Sequence, residues 1–224
     1  MRQVYIAPSL LAANKSDLEN EIKRISDLKA PYLHFDVMDD DFIGHTSFSF
    51  ADYEKIKKMH NLINDVHLMV AKPYAYAREY AAMGANYITF HYEALKDDVM
   101  RFDCIDAIRQ LGVKVGMSIK PKTPIEKILP FLHLLDLVLI MSVEPGKGGQ
   151  SFMPNALEKI SVCHKFIDEN NLKTLIEVDG GLNENTGPAC YYSGADILVM
   201  GTYLFGHQDI AERYHKVLKA CQHD

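Results

Sequence analysis

Two histidines and two aspartates stand where this sequence could most readily build chemistry. In Leu33-His34-Phe35-Asp36-Val37-Met38-Asp39, read as a strand, successive side chains alternate faces, so His34, Asp36 and Met38 share one face while Phe35 and Val37 take the other. Val66-His67-Leu68-Met69 repeats the pattern, with Met69 at the parity of His67. A third run, Ile176-Glu177-Val178-Asp179-Gly180-Gly181, carries Asp179 to its tip. Each residue alone reads equally well as a satisfied polar group at a strand end. Four at matching parity favour one site, and two imidazoles with two carboxylates suit a divalent zinc, iron, manganese or cobalt ion.

A second constellation is rich in glycine: Pro145-Gly146-Lys147-Gly148-Gly149-Gln150, then Gly180-Gly181, then Gly201-Thr202. Glycine lets backbone N–H groups approach an anion closely, and a helix following the last loop would add partial positive charge. Any single pair reads as a turn. Three in succession favour a phosphate.

These residues need elements to hold them. Short apolar or β-branched runs recur at Tyr5–Ser9, Tyr32–Val37, Asp65–Met69, Tyr87–His91, Lys114–Ile119, Leu137–Ser142, Thr174–Asp179 and Ile197–Met200, and helical patterns lie between them. Leu18, Ile22 and Ile25 recur at helical spacing behind Ser16 as N-cap, and Gly84, Gly112 and Gly194 suit the left-handed residue that ends a helix. Eight units in 224 residues, about 28 each, with no Gly-x-Gly-x-x-Gly after the first strand, favour an α/β fold of the (β/α)8 TIM-barrel type over an open sheet. No linker divides residues 1–224, so a single barrel domain is expected.

Composition narrows the partners. The formal charge of -6 disfavours a nucleic-acid backbone or an anionic membrane. The most apolar stretch, residues 134–143, is too short to span a bilayer and contains Asp136. A cytoplasmic protein is expected, with its four scattered cysteines as reduced structural thiols.

The chain resembles the ribulose-phosphate 3-epimerase family. Ile6-Ala-Pro-Ser-Leu-Leu, His34-Phe-Asp-Val-Met-Asp, Asp65-Val-His-Leu-Met, Met141-Ser-Val-Glu-Pro-Gly-Lys-Gly-Gly-Gln and Glu177-Val-Asp-Gly-Gly carry the resemblance, in order, along nearly the whole chain. It implies a (β/α)8 barrel in which His34, Asp36, His67 and Asp179 bind one divalent metal, zinc being the first choice. It implies Asp36 and Asp179 as the acid/base pair of an isomerase, with Ser9 and His67 touching substrate. Gly146, Lys147, Gly148 and Gly149, with Gly180, Gly181, Gly201 and Thr202, would hold its phosphate. Met38, Met69 and Met141 match a family methionine cluster beside the reacting carbons, though apolar packing alone would also account for them. Symmetric homo-oligomers are implied as well.

The chemistry suits the residues. Inverting a carbon beside a ketone removes a proton from one face and returns one to the other through an enediolate, which calls for two carboxyl groups on opposite sides. Strands two and seven of an eight-stranded ring are three steps apart and so can flank a ligand. A divalent ion acting as Lewis acid would stabilise charge on the ketone oxygen, and no organic cofactor is required.

The implied reaction is interconversion of D-ribulose 5-phosphate and D-xylulose 5-phosphate in the pentose phosphate pathway. The alternatives are the same step on a hexulose 6-phosphate such as allulose 6-phosphate, and a non-catalytic phosphate-binding barrel. A barrel lyase or decarboxylase would call for an Asp-x-Lys-x-x-Asp arrangement, which the sequence lacks. Family members usually read Met-Asp-Gly-His-Phe and then Pro-Asn after the second strand, whereas this chain reads Met38-Asp39-Asp40-Asp41-Phe42-Ile43-Gly44-His45, which leaves substrate fit open. Lys147 and Lys120 are further departures; Lys147 would either meet phosphate or face solvent. His91 and Glu93 match family positions in a supporting rather than catalytic role.

Overall fold

The computed structural model describes residues 2–222. Its strands are β1 (Tyr5–Pro8), β2 (Tyr32–Met38), β3 (Ile63–Met69), β4 (Tyr87–His91), β5 (Lys114–Ile119), β6 (Leu137–Met141), β7 (Leu175–Asp179) and β8 (Ile197–Met200). Each lies within two residues of its expected bounds. They pair in parallel in the order β1-β8-β7-β6-β5-β4-β3-β2, and a parallel bridge between Ser9 and His34 joins the two ends. The result is a (β/α)8 barrel whose closing seam sits beside the candidate site.

Helices α1 (Leu18–Asp27), α2 (Phe50–Lys57), α3 (Pro73–Ala82), α4 (Asp98–Gln110), α5 (Asn155–Glu169), α6 (Thr186–Ser193), α7 (Thr202–Phe205) and α8 (Ile210–Gln222) follow the strands, but the fifth unit has no α-helix. In its place are 3-10 segments at Ile125–Lys127 and Leu129–Leu134. Pro121, Pro124 and Pro130 explain this, since each removes a backbone donor that a continuous helix needs. The first helix also differs from expectation. It starts at Leu18 after a 3-10 turn over Lys15–Asp17, and Asn14 rather than Ser16 supplies the capping side chain, accepting from the Ser16 N–H at 3.1 Å. Gly84, Gly112 and Gly194 end their helices with positive φ, as expected.

Outward strand residues pack under the helices, while inward ones fill the barrel in layers. Its floor is aromatic: Tyr32 lies 5.6 Å from Tyr5 and 6.1 Å from Tyr87, whose hydroxyl accepts from Lys114 Nζ at 2.9 Å. The middle and upper layers on β2, β3 and β7 are ionisable: His34, Asp36, Asp65, His67, Glu177 and Asp179. All four cysteines are free and buried, and burial pushes their thiols up to about 11 or 12. Among the described residues no helix is long and apolar enough to cross a membrane.

On the outer face, Phe35 is fully buried, 4.8 Å from Tyr53 of α2 and 6.4 Å from Phe48. The Phe35→Ala substitution opens a cavity between β2 and α2 and is expected to destabilise the protein by about 3–5 kcal/mol. A lowered urea midpoint measures it.

Candidate functional site

Parity decides what enters the barrel, and ladder register decides which side chains meet. Asp36 of β2 pairs with His67 of β3, and Met38 with Met69. Met141 of β6 pairs with Asp179 of β7. At the mouth, ligand atoms from His34, Asp36, His67 and Asp179 all lie within 4.8 Å of one another. Asp36 uses both oxygens: Ser9 Oγ donates to Oδ2 at 2.6 Å, and His67 Nδ1 lies 3.1 Å from Oδ1.

This set fits a divalent cation. His34 Nε2 is buried with no hydrogen-bond partner although Asp36 Oδ1 lies 3.4 Å away, an arrangement that leaves a ring nitrogen and a carboxylate oxygen side by side. The other nitrogen, Nδ1, is engaged by Asp65 Oδ2 at 2.6 Å, which orients the ring in the manner common behind metal-binding imidazoles.

The side chains split the two aspartates. Burial would raise Asp36, but His34 and His67 outweigh it and hold the carboxyl well below its ordinary range. Burial first, and then the Asp36 charge, pushes Asp179 up to about 7. One carboxyl is thus ionised near neutrality while the other retains a proton for much of the time. Burial also opposes a charge on His34, yet Asp65 and Asp36 lift it well above its ordinary value. His67 and His91 are lowered, chiefly by burial, His91 to about 4.

A cavity of about 550 Å³ opens above this cluster. Ser9, Asp36, Asp179, the three methionines Met38, Met69 and Met141, and the glycine loops with Lys147 and Thr202 all line it, while His34 and His67 lie beneath in the barrel. The loops carry positive φ at Gly146, Gly149, Gly180 and Gly181. At Gly181 packing makes its own demand, since an added Cβ would sit 2.5 Å from the Phe152 backbone nitrogen. The helix after Gly201 is the single turn α7, so dipole charge contributes little there and individual N–H groups remain.

The departures have structural outcomes. Asp39 Oδ1 and Oδ2 accept from the N–H groups of Phe42 and Ala71 at 2.8 and 3.0 Å, while Asp40 and Asp41 are exposed and outside the cavity. Ile43 and His45 of this turn instead pack over Gly146. Lys147 is exposed at the cavity rim. Lys120 is drawn elsewhere, its Nζ 4.2 Å above the Phe42 ring.

Two ionisable residues of the cluster escaped the sequence reading. Asp65 and Glu177 form a second group with His34 one layer down, and neither Glu177 oxygen has a hydrogen-bond partner as a carboxylate. Burial and the neighbouring Asp65 push Glu177 well above the carboxylate range, toward its neutral form. A signal existed: Asp65 precedes His67 by two residues and Glu177 precedes Asp179 by two, each at inward parity.

In the metal-free protein, Asp179 keeps its proton up to about 7 against an ordinary value of 3.8, so between those limits folding takes up a proton and stability falls as pH rises. The Asp179→Asn variant lacks that proton. Its stability relative to wild type is therefore expected to climb between pH 4.5 and 7, by less than about 1.4 kcal/mol per pH unit, the limit for one full proton. Urea midpoints of both metal-free proteins at the two pH values check this.

Comparison with known proteins agrees with this geometry. A family model for the ribulose-phosphate 3 epimerase family matches residues 5–205. Ribulose-phosphate 3-epimerase of Schizosaccharomyces pombe is 41% identical over 218 residues, covering 95% of this chain and 91% of that protein. The Bacillus subtilis enzyme of the same name is 38% identical over 207 residues, covering 92% and 94%. Among solved structures, a 3-hexulose-6-phosphate synthase superposes with a TM-score of 0.68 at 17% identity, covering 97% of this chain and 99% of that one. Orotidine 5'-phosphate decarboxylase from Pyrococcus horikoshii OT3 gives 0.66 at 16%, covering 98% and 100%. These two share the fold.

Proposed function

The chain belongs to the ribulose-phosphate 3-epimerase family, and on that premise we propose that it interconverts D-ribulose 5-phosphate and D-xylulose 5-phosphate. It is an isomerase that epimerises a ketose phosphate with the help of a metal. The observation that carries the finer reading is the meeting of Asp36 and Asp179, their protonation states pushed apart, at the floor of a cavity whose other wall is built of glycine loops.

In this reading the ketose lies between β2 and β7. Asp36, ionised and held by Ser9, takes the proton from carbon 3 on one face, and Asp179, the carboxyl that retains a proton, delivers one to the other. The return direction exchanges their roles. His34, Asp36, His67 and Asp179 would hold one divalent ion, zinc by first choice, which when bound supplies Lewis-acid stabilisation of the charge that develops on the ketone oxygen. Ser9 also faces the substrate's polar groups, whereas His67, expected beside it, lies beneath the cavity with both ring nitrogens engaged. Met38, Met69 and Met141, all buried, give the reacting carbons an apolar wall that excludes water.

Backbone N–H groups of Gly146, Gly148, Gly149, Gly180, Gly181, Gly201 and Thr202 would bind the phosphate, with Lys147 at the rim adding charge. The reading also takes residues 1–224 as one barrel domain of a cytoplasmic homo-oligomer whose ligand is a small sugar phosphate rather than a nucleic acid.

Purified protein is expected to carry close to one divalent ion per chain by elemental analysis, and chelation is expected to remove its activity. Retention of full activity without any ion would refute the metal requirement. In deuterated water, wild type is expected to incorporate deuterium at carbon 3 as xylulose 5-phosphate forms, while Asp36→Asn and Asp179→Asn each lose roughly 10²- to 10⁴-fold in turnover. Near-normal turnover in either variant would sink the two-carboxylate mechanism. Faster turnover of a hexulose 6-phosphate than of ribulose 5-phosphate would reassign the substrate.

A further inference from the structure

We propose that His91 and Glu93, which lie outside both the cavity and the set of metal ligands, are positioning residues that favour the His67 tautomer protonated on Nε2 and so leave its Nδ1 open to the metal. The inference rests on the metal reading above. It starts from an unusual contact: His67 Nε2 lies 2.9 Å from His91 Nε2, with the two rings 5.0 Å apart in a fully buried environment. Two nitrogens at that distance share one proton, and either ring could own it.

The next residue along biases the choice toward His67. His91 Nδ1 lies 3.1 Å from Glu93 Oε2. The other Glu93 oxygen accepts from the Lys120 backbone N–H at 2.8 Å and from the Thr123 hydroxyl. An ionised carboxylate only accepts, so Glu93 favours His91 as a donor from Nδ1, which leaves the His91 Nε2 as an acceptor; Asp36 makes the same demand on His67 Nδ1 from the other end until a cation stands between them. His67 then donates from Nε2. Its remaining nitrogen, Nδ1, is the one that faces Asp36 Oδ1 at 3.1 Å.

Proton counting shows why a cation settles the direction. Asp36, His67, His91 and Glu93 form three successive contacts between two carboxylates, yet two neutral rings bring only two N–H protons. The two protons serve either end: with Asp36 served, the His91–Glu93 contact is left with two lone pairs facing each other, and with Glu93 served, the Asp36–His67 contact is. A cation bound there satisfies both. Thus Glu93, outside the set of metal ligands, stabilises the direction of the chain in which His67 Nδ1 is open to a cation.

That far end is itself fixed. Lys159 of α5, buried, donates from Nζ to the carbonyls of Lys120, Pro121 and Thr123 at 3.1, 2.7 and 2.6 Å, holding the loop that presents its donors to Glu93. Phe42 covers His91 at 5.1 Å between ring centroids and carries Lys120 on its other contact.

Glu93→Gln tests the idea with little change of shape. The amide oxygen still serves Lys120 and Thr123, but the NH₂ group now faces His91 Nδ1 as a donor. His91 is thereby driven to carry its proton on Nε2, which pushes the His67 proton to Nδ1. The zinc dissociation constant, from chelator competition, is expected to rise about 10- to 100-fold, the range typical of partners behind metal ligands, while the metal-free melting temperature stays near that of wild type. In ¹⁵N NMR of wild type loaded with zinc, His91 is expected to be protonated at Nδ1 and His67 at Nε2. A wild-type His91 protonated at Nε2, or zinc affinity in Glu93→Gln within twofold of wild type, would overturn the assignment while leaving the metal site intact. Wild type that binds no divalent ion would instead overturn the metal reading and this inference with it.

Discussion

Six ionisable side chains share the interior of a barrel that water does not reach freely, and each must find its counter-charge or its proton among the others. Isolated charges in such a place cost several kcal/mol each, so the groups are arranged as neighbours: His34 between Asp36 and Asp65, Glu177 pushed toward its neutral form by burial and by Asp65, Asp179 raised by burial and then by the charge of Asp36. The same constraint that would make the cluster unstable as scattered charges makes it suitable as a cation site. It also separates the two aspartates that the proposed proton transfer needs in different states.

The two imidazoles solve the problem with opposite nitrogens. His34 presents Nε2 to the cluster and anchors Nδ1 on Asp65, whereas His67 presents Nδ1 and directs Nε2 to His91. Each ring is thus held from behind by a different strand: β3 holds His34, and β4 holds His67. A barrel allows this because neighbouring strands are in register, so that a side chain one layer down or one strand across is always at hand. The bottom of the barrel, closed by Tyr5, Tyr32 and Tyr87, contributes stability and no chemistry of this kind.

The cavity above combines rigid strands below with loops whose backbone departs from ordinary conformations. Gly180 and Gly181 have positive φ and no room for a Cβ, so the β7 loop packs directly on the β6 loop; Gly148, by contrast, has nothing within 4 Å of that position. Glycine is therefore demanded by packing at some of these positions and leaves open space at another. The turn after β2, which departs from the usual family pattern, turns two of its carboxylates outward and places Ile43 and His45 over Gly146, where they shape the rim without adding charge to the floor.

Alternation along each strand is a property of the backbone, so the sequence by itself determined that His34 shares a face with Asp36, that His67 shares one with Met69, and that eight such units make a barrel. Glycine punctuation likewise marked helix ends and loops, because positive φ is a local demand. Two local signals went unread: three prolines removed the fifth helix, and Asn14 rather than Ser16 took the cap. Parity also held the inward position of Asp65 and Glu177, but not their importance, which depends on lying beside His34 across strand boundaries. Only the tertiary structure decided which nitrogen of each histidine faces the cluster, how the two aspartates divide their protons, and that His91 and Glu93 stand behind His67. Those are consequences of register between strands and of burial, and neither is written in the residues of any one strand.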